Sequence, residues 1–298
     1  MVVEVLQALQ PKPCGRYADG TVGGGGHAAA MLAASSPSGW LFGCDRDGAA
    51  LEAAAGHLAQ FAGRFELRHG NYSEMAEWLP AGSCDGVLLD LGVSSPQLDV
   101  PERGFSFQQD GPLDMRMDTR TGPTAAELVN SATAEELAKV LWEFGEEREA
   151  RRMARILVEE RRHQPFTTTR QLAAVVERIS PRRGSRTHPA TRVFQALRIA
   201  VNDELGSLQR GLQAAVTVLK SGGRLAVITF HSLEDRLVKQ FGREMTRDYF
   251  GPEDVPELRR PSVPRMCWVS RKAAQPSADE VAANPRARSA QLRVLEKL

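Results

Sequence analysis

Three aspartates close three short apolar runs: Asp19 follows Tyr17-Ala18, Asp45 follows Trp40 to Cys44, and Asp90 follows Gly86 to Leu89. A glycine loop, Asp19-Gly20-Thr21-Val22-Gly23-Gly24-Gly25-Gly26-His27, separates the first from the second. Glycines between a strand and a helix let the backbone approach a ligand closely and take positive φ. An acidic residue roughly 20 positions further on, at the end of the next strand, is where a carboxylate accepts both hydroxyls of a ribose. Asp45 therefore points to a nucleoside cofactor. A nicotinamide dinucleotide and S-adenosylmethionine both fit that pairing, but Asp19 ahead of the glycines suits a cationic, amine-bearing cofactor better than an anionic one. Asp90 puts a third carboxylate on the same rim. Plainer readings stand beside these. An Asp after a strand often caps or turns the chain, the glycines make a tight turn, and His27 is a surface residue at a helix start. Tyr72 either lies along an adenine face or packs as a half-buried core tyrosine.

The loop after the fourth apolar run, Asp90-Leu91-Gly92-Val93-Ser94-Ser95-Pro96-Gln97, is where a doubly wound enzyme holds its acceptor. A polar residue followed by proline suits an exocyclic amine such as that of cytosine. Its lone pair is delocalised into the ring, so the site must accept its hydrogens and hold it in line. Ser94 and the carbonyls near Pro96 are candidates for that role, against an ordinary Ser-Pro turn. Asp114 is a further acceptor, with a salt bridge to Arg116 as the alternative. Phe105 and Phe107 wall a flipped base or pack a core. Arg182, Arg183 and Arg186 share a loop, while Arg192, Gln195, Arg198 and Asn202 fall near one helical face, a surface for a nucleic-acid backbone or merely a solvated face. His231, Ser232 and Glu234 follow an inner strand, where His231 positions an acceptor or serves as a structural histidine.

Positioning these residues requires a rhythm of strands and helices. Tyr17–Asp19, Trp40–Asp45, Phe65–His69 and Gly86–Leu91 read as strands, with helices over Ala28–Ala34 and Ala49–Gln60. That alternation predicts a doubly wound, mostly parallel α/β sheet. Between Leu98 and Asp203 helical patterns take over, opened by the capping pairs Thr133/Glu136 and Thr168/Gln171. Gly206–Leu219 reads as a helix, Gly222 and Gly223 as a turn, and Leu225–Phe230, Met266–Val269 and Gln291–Leu295 as further strands. The expected division is a core over 1–104, an inserted helical substrate domain over 105–203, and the rest of the core over 204–298.

Composition sets outer bounds. With 42% hydrophobic and 25% charged residues the chain is ordinary for a globular protein, and a net charge of +1 excludes coating nucleic acid by bulk charge while allowing local basic patches. No apolar run is long enough to span a bilayer and Met1–Gln10 lacks a signal-peptide pattern, so a cytoplasmic protein is expected. The four cysteines, Cys14, Cys44, Cys84 and Cys267, form no C-x-x-C pair, so they read as packing residues and no metal is called for.

Taken in order, several segments resemble one family along nearly the whole chain. They are Asp19-Gly20-Thr21, Gly25-Gly26-His27, Asp45-Arg46-Asp47, Leu88 to Leu98, Arg103-Gly104-Phe105-Ser106-Phe107, Gly111 to Asp118 and Phe144 to Arg148, then His188 to Arg192, Asn202 to Leu205, Phe230 to Arg236 and Asn284 to Ser289. The set is similar to the RsmH (MraW) family of 16S rRNA cytosine-N4 methyltransferases. The resemblance implies a class I, Rossmann-like S-adenosylmethionine-dependent methyltransferase that methylates the N4 amine of a decoding-site cytosine. It implies 16S rRNA, within the assembled small ribosomal subunit, as the partner; no membrane is implied, and a homodimer is compatible. It further implies that Gly25, Gly26, His27, Asp45, Tyr72, Asp90 and Gln97 contact the cofactor. Two departures carry expectations. The family usually begins with a short His-containing segment, whereas this chain starts at Met1-Val2-Val3-Glu4, so contacts from that segment are expected to be missing. Gln97 replaces the aromatic of the Ser-Pro-Pro-Tyr loop, so stacking on the base must come from elsewhere. The rivals are a nicotinamide-dependent oxidoreductase, against which Ser94-Ser95-Pro96 speaks, and a cofactor-sensing RNA-binding factor without catalysis.

Overall fold

Apolar residues alternate from one side of each strand to the other, and that alternation builds a sheet covered on both faces. The computed structural model describes residues 1–181, 188–251 and 255–298. It comprises two compact units, Met1–Gly92 with Leu205–Leu298, and Val93–Glu204. In chain order the elements are α1 (Val2–Leu9), β1 (Arg16–Asp19), α2 (Gly26–Ala34), β2 (Trp40–Asp45), α3 (Gly48–Leu58), β3 (Phe65–His69), α4 (Met75–Trp78) and β4 (Cys84–Asp90). Six helices follow: α5 (Ser95–Asp99), α6 (Ala125–Ser131), α7 (Ala134–Gly145), α8 (Ala150–His163), α9 (Thr169–Ile179) and α10 (Ala190–Asn202). The chain then forms α11 (Glu204–Val218), β5 (Leu219–Thr229), α12 (Ser232–Thr246), β6 (Met266–Trp268), α13 (Ala278–Ala283) and β7 (Gln291–Lys297).

The first unit is a seven-stranded sheet in the order β3-β2-β1-β4-β5-β7-β6. The first five strands pair in parallel, and β7 runs antiparallel to both neighbours. Ala18, Phe42, Val87, Leu89, Leu225 and Val227 face one core with Leu208 and Leu212 of α11 and Val238 and Phe241 of α12. Their neighbours Tyr17, Leu41, Leu88, Ala226 and Ile228 face the other, with Val5 and Leu9 of α1, Met31 and Leu32 of α2, and Leu58 of α3. Each large side chain so buried contributes about 1.5–3 kcal/mol.

Three features differ from the sequence reading. Helix α1 was not foreseen; it is one short amphipathic stretch whose N-cap Met1 makes no side-chain capping bond, and it packs through Val5, Ala8 and Leu9. Gly222 and Gly223 do not precede β5 but lie inside it: Cys84 pairs with Leu219 and Gly86 with Arg224, so 220–223 bulge out opposite Asp85, with Gly222 at φ +76°. Cys44 and Cys84 pack in the core as expected, but Cys14 is exposed.

In the second unit the capping boxes at Thr133/Glu136 and Thr168/Gln171 form as expected, and a third joins Thr124 to Glu127. The compact unit begins at Val93, so the segment to Gly104 belongs with the helices. Its irregular stretch is pinned at Met115, buried and left-handed at φ +64°, a conformation that side-chain-bearing residues adopt at a cost. Buried Asn202 holds it: Nδ2 donates to the Met115 carbonyl at 2.7 Å, and Oδ1 accepts from the Met117 amide at 2.8 Å. Replacing Asn202 with Ala leaves both backbone groups short of a partner and is expected to cost about 2–4 kcal/mol. Urea denaturation checks this, and a loss under about 1 kcal/mol would contradict it.

Candidate cofactor site

Parallel strands deliver their last residues to one edge of a sheet, and Asp19, Asp45 and Asp90 are the last residues of β1, β2 and β4. The strand order reverses between β1 and β4, the place where doubly wound sheets bind ligands. The glycine loop runs from β1 into α2. The Gly20 amide donates to the Leu88 carbonyl at 2.9 Å and the Val22 amide to the Cys44 carbonyl at 3.0 Å, which ties the loop to both neighbouring strands. Gly25 turns into α2 at φ +83°, where a Cβ would lie 3.3 Å from Ala54 Cα. A Cβ on Gly26 would meet no protein atom, so packing does not demand glycine there.

Asp45 fastens the loop. Its Oδ2 accepts from the Gly23 amide and its Oδ1 from the Asp47 amide, each at 2.9 Å. Carboxylate oxygens accept more than one hydrogen bond, so both keep capacity for a ribose hydroxyl. Burial raises the Asp45 pKa despite the hydrogen bonds from Asp47 and Gly23. Thr21, which the sequence reading did not single out, ties the carboxylate of Asp19 to the main chain at Asp90. Its amide donates to Asp19 Oδ1 at 3.1 Å, and its Oγ1 accepts from the Asp90 amide at 2.7 Å. Its position directly after Asp19-Gly20 was the available signal.

Asp19 is 1% exposed, and burial pushes its pKa up to about 7 although the His27 charge and the Thr21 amide pull it down. His27, at the start of α2, sets Nε2 3.4 Å from Asp90 Oδ2. Burial would lower the His27 pKa; the hydrogen bond and charge of Asp90 outweigh it and raise the value. Tyr72 follows β3 and is buried. Its ring lies against Gly211 of α11, where a Cβ would come within 2.3 Å, and its Cβ lies close to Gly20. It thus packs in the core and borders the loop.

Among the described residues five buried side-chain atoms lack a hydrogen-bond partner, and three belong to this rim: Asp19 Oδ2, His27 Nδ1 and Asp90 Oδ1. Each unmet buried polar group costs about 1–3 kcal/mol. Carboxylate oxygens beside a glycine loop fit a nucleoside that carries cationic groups and ribose hydroxyls, and they are a poor match for a pyrophosphate.

The remaining sequence candidates divide between the units. In the first, His231 caps α12: its Nδ1 accepts from the Glu234 amide at 3.4 Å, and Glu234 Oε2 accepts from the Phe230 amide at 2.8 Å. That is the structural alternative the sequence offered for it. The others lie in the second unit. Ser94 is the N-cap of α5, Pro96 lies in its first turn, and buried Gln97 closes the capping box by accepting the Ser94 amide at 2.9 Å. Asp114 forms a two-pronged ion pair with Arg116, at 2.8 Å to both Nε and Nη2. Burial would raise its pKa, but the Arg116 hydrogen bonds hold it below the usual carboxylate range. Phe105 is buried in the core, and Phe107 sits half-buried with its ring 4.6 Å from His188 and 4.9 Å from Phe194.

The basic face expected on α10 needs correction. Arg198 is paired bidentately with Glu204 at 2.7 and 2.8 Å, Gln195 donates to the Phe144 carbonyl at 3.0 Å, and Asn202 is buried. Packing has turned that face inward, and only Arg192 remains exposed. Arg182, Arg183 and Arg186 lie outside the described residues.

This strand order, with β7 antiparallel between β5 and β6 and an acidic rim beside a glycine loop, defines the class I, Rossmann-like S-adenosylmethionine-dependent methyltransferase fold. A model of the MraW methylase family matches residues 1–298, and the chain belongs to that family. It is similar to the ribosomal RNA small subunit methyltransferase H of Syntrophotalea carbinolica, 53% identical over 100% of this chain and 96% of that one. The protein of the same name from Geobacter sulfurreducens is 52% identical over 100% and 97%. Among solved structures it is similar to a Streptococcus mutans methyltransferase in complex with SAH, at 11% identity and a TM-score of 0.48, covering 100% of this chain and 98% of that one. A methylase on this fold takes its methyl group from S-adenosylmethionine.

Two outcomes follow for the cofactor. A cationic ligand favours ionised Asp19, so with a pKa of about 7 its affinity should rise roughly tenfold from pH 6 to 8 and then level off. In the free protein the sign is opposite: the raised pKa makes Asp19 cost stability progressively as pH climbs from about 4 towards 7. Calorimetric titration across pH checks the first, and flat affinity would contradict it. Gly26→Ala should leave the melting temperature unchanged or raised, since Ala favours a helix, while weakening cofactor binding about tenfold if the ligand passes over the backbone here. Unchanged affinity would exclude that close approach.

Proposed function

We propose that this chain transfers a methyl group from S-adenosylmethionine to the exocyclic N4 amine of a decoding-site cytosine in small-subunit ribosomal RNA. The observation that carries the reading is the rim of Asp19, Asp45 and Asp90 beside the glycine loop, with buried oxygens short of partners, in a chain that belongs to a methylase family. The rRNA substrate is supported by relatives at 53% and 52% identity named ribosomal RNA small subunit methyltransferase H.

The cofactor supplies an electrophilic methyl on a sulfonium. Everything else falls to the protein. In this reading Asp45 takes the ribose hydroxyls, Tyr72 borders the adenine, Gly25 and Gly26 admit the ligand to the backbone, and Asp19 with the His27–Asp90 pair meets its polar end. Gln97 completes the contacts by family position. On the acceptor side the N–C bond would form as the methyl leaves sulfur, which keeps the bonding pair as a neutral thioether, and the amine would give up one proton to solvent, so its hydrogens must be held by acceptors. Ser94 and the backbone carbonyls near Pro96 follow Asp90 in the chain and supply such acceptors. Asp114, kept ionised by Arg116, is a further one. Phe105 acts by packing the core that supports Phe107, whose half-exposed ring is the better candidate for contact with a base. Arg192 offers a phosphate contact, and His231 acts by fixing the start of α12. Nitrogen is the nucleophile, so no cysteine adduct is required.

The test is transfer of labelled methyl to small subunits lacking the modification, followed by nucleoside analysis. N4-methylcytidine is the expected product, and Asp114→Ala should slow the single-turnover rate at least tenfold, a loss of about 1.4 kcal/mol of transition-state stabilisation. Label on another nucleoside, or no transfer, overturns the reading. Undiminished Asp114→Ala turnover removes that residue alone.

A further inference from the structure

The first turns of helix α8 carry cations against the helix dipole. Arg151 and Arg152 lie in its first turn, Arg148 just before it and Arg155 one turn on, and that first turn holds no acidic residue. A helix N-terminus is the positive end of the macrodipole, so cations there are unfavourable for folding. The cations at the other end of α8 are ordinary by comparison: Arg161 donates to the Val129 and Ala132 carbonyls, and Arg162 pairs with Glu159.

Positions 148, 151, 152 and 155 share one helical face, opposite Met153, Ala154 and Leu157, which are buried in the core of the second unit. That face forms one wall of an open groove of about 1160 Å³ whose other wall is α7, with Lys139 and Trp142. Five of its lining side chains are cationic and two are carboxylates. One of the two, Glu149, is taken up by Arg152 at 3.2 Å. Lys139, Arg148 and Arg151 have no side-chain ion-pair partner among the described residues. Trp142 is 61% exposed, the one aromatic among the strongly exposed large apolar side chains of the described residues.

Like charges gathered at the wrong end of a helix, beside an aromatic ring left in water, make an unfavourable surface for an isolated protein. They suit a polyanion that carries flat bases: phosphates match the guanidinium groups, and an unstacked base matches the indole face. We propose that the groove between α7 and α8 binds the ribose-phosphate backbone of the RNA substrate, with Trp142 as the platform for one unpaired base. The proposal rests on the rRNA reading above and names where the RNA is gripped apart from the reacting nucleotide.

The test compares binding of the full chain to unmodified small subunits and to protein-free 16S rRNA over a range of salt concentrations. The variants are Arg148→Ala/Arg151→Ala, Trp142→Ala and Trp142→Phe. A control, Arg243→Ala/Arg271→Ala, removes equal charge from a second basic pocket of the first unit. The groove double variant should bind both RNAs about tenfold more weakly, with the slope of log affinity against log salt flattened by about 1.4–1.8, and the control should bind as wild type. Trp142→Ala should lose about fivefold or more, and Trp142→Phe should recover most of it. Cofactor affinity should stay at the wild-type value in all groove variants, and the melting temperature should be unchanged or, for the double arginine variant, raised.

Wild-type binding and slope in the groove variants would overturn the proposal, as would weakening confined to the assembled particle, which would assign the groove to a ribosomal protein. Methyl transfer is read separately. A chain that methylates small subunits but ignores the groove substitutions loses only this inference. One that binds RNA through the groove but transfers no methyl keeps it and loses the proposed reaction.

Discussion

Ionised carboxylates resist burial, and the first unit places three at the end of its sheet. Taking a charged group out of water without full compensation costs several kcal/mol, which is why burial raises the pKa of both Asp19 and Asp45. The remainder of the unit serves to hold them there. Parallel pairing of β1, β2 and β4 brings their last residues to one edge, two apolar layers fix the sheet from either side, and the amides of Thr21, Gly23 and Asp47 spend their hydrogen bonds on the carboxylates of Asp19 and Asp45. A site whose carboxyl groups are already held in position needs little reorganisation when a cationic ligand arrives.

The second unit uses its polar residues differently. Asp114 with Arg116, Gln97 with Ser94, and Asn202 with Met115 and Met117 are bonds that hold an irregular backbone in shape. A side chain locked by such bonds can still meet a substrate, and locking is what a positioned acceptor requires. The cations in the first turns of α8 belong to another class, since they oppose the helix dipole.

Much of the first unit was legible because its signals are local. Strand ends, glycine spacing and alternation place Asp19, Gly25, Asp45 and Asp90 without knowledge of any partner strand, and the capping residues Thr133 and Thr168 mark helix starts by chemistry confined to one turn. What was illegible depends on tertiary context. Helix α1 is too short for periodicity to declare it, and the bulge at 220–223 shows only in the register of β5 against β4, a neighbour far away in sequence. The α10 face looked solvated since Arg198, Gln195 and Asn202 are polar, yet their partners Glu204, Phe144 and Met115 are brought to them only by folding. Trp142 and Arg151 were hidden for the same reason: they sit on different helices, and only the packing of α7 on α8 sets them along one groove.

The central claim is that the acidic rim is poised for a cationic nucleoside, and the carboxyl carbon of Asp19 reports on it directly. Nuclear magnetic resonance of ¹³C-labelled protein would follow its titration with and without S-adenosylmethionine, with Asp19→Asn to assign the signal. The account predicts a midpoint of about 7 in the free protein and a fall of about one unit or more on saturation, as the cation favours the ionised form. An Asp19 that titrates near 4 in the free protein, or whose midpoint does not move when the cofactor binds, would contradict it.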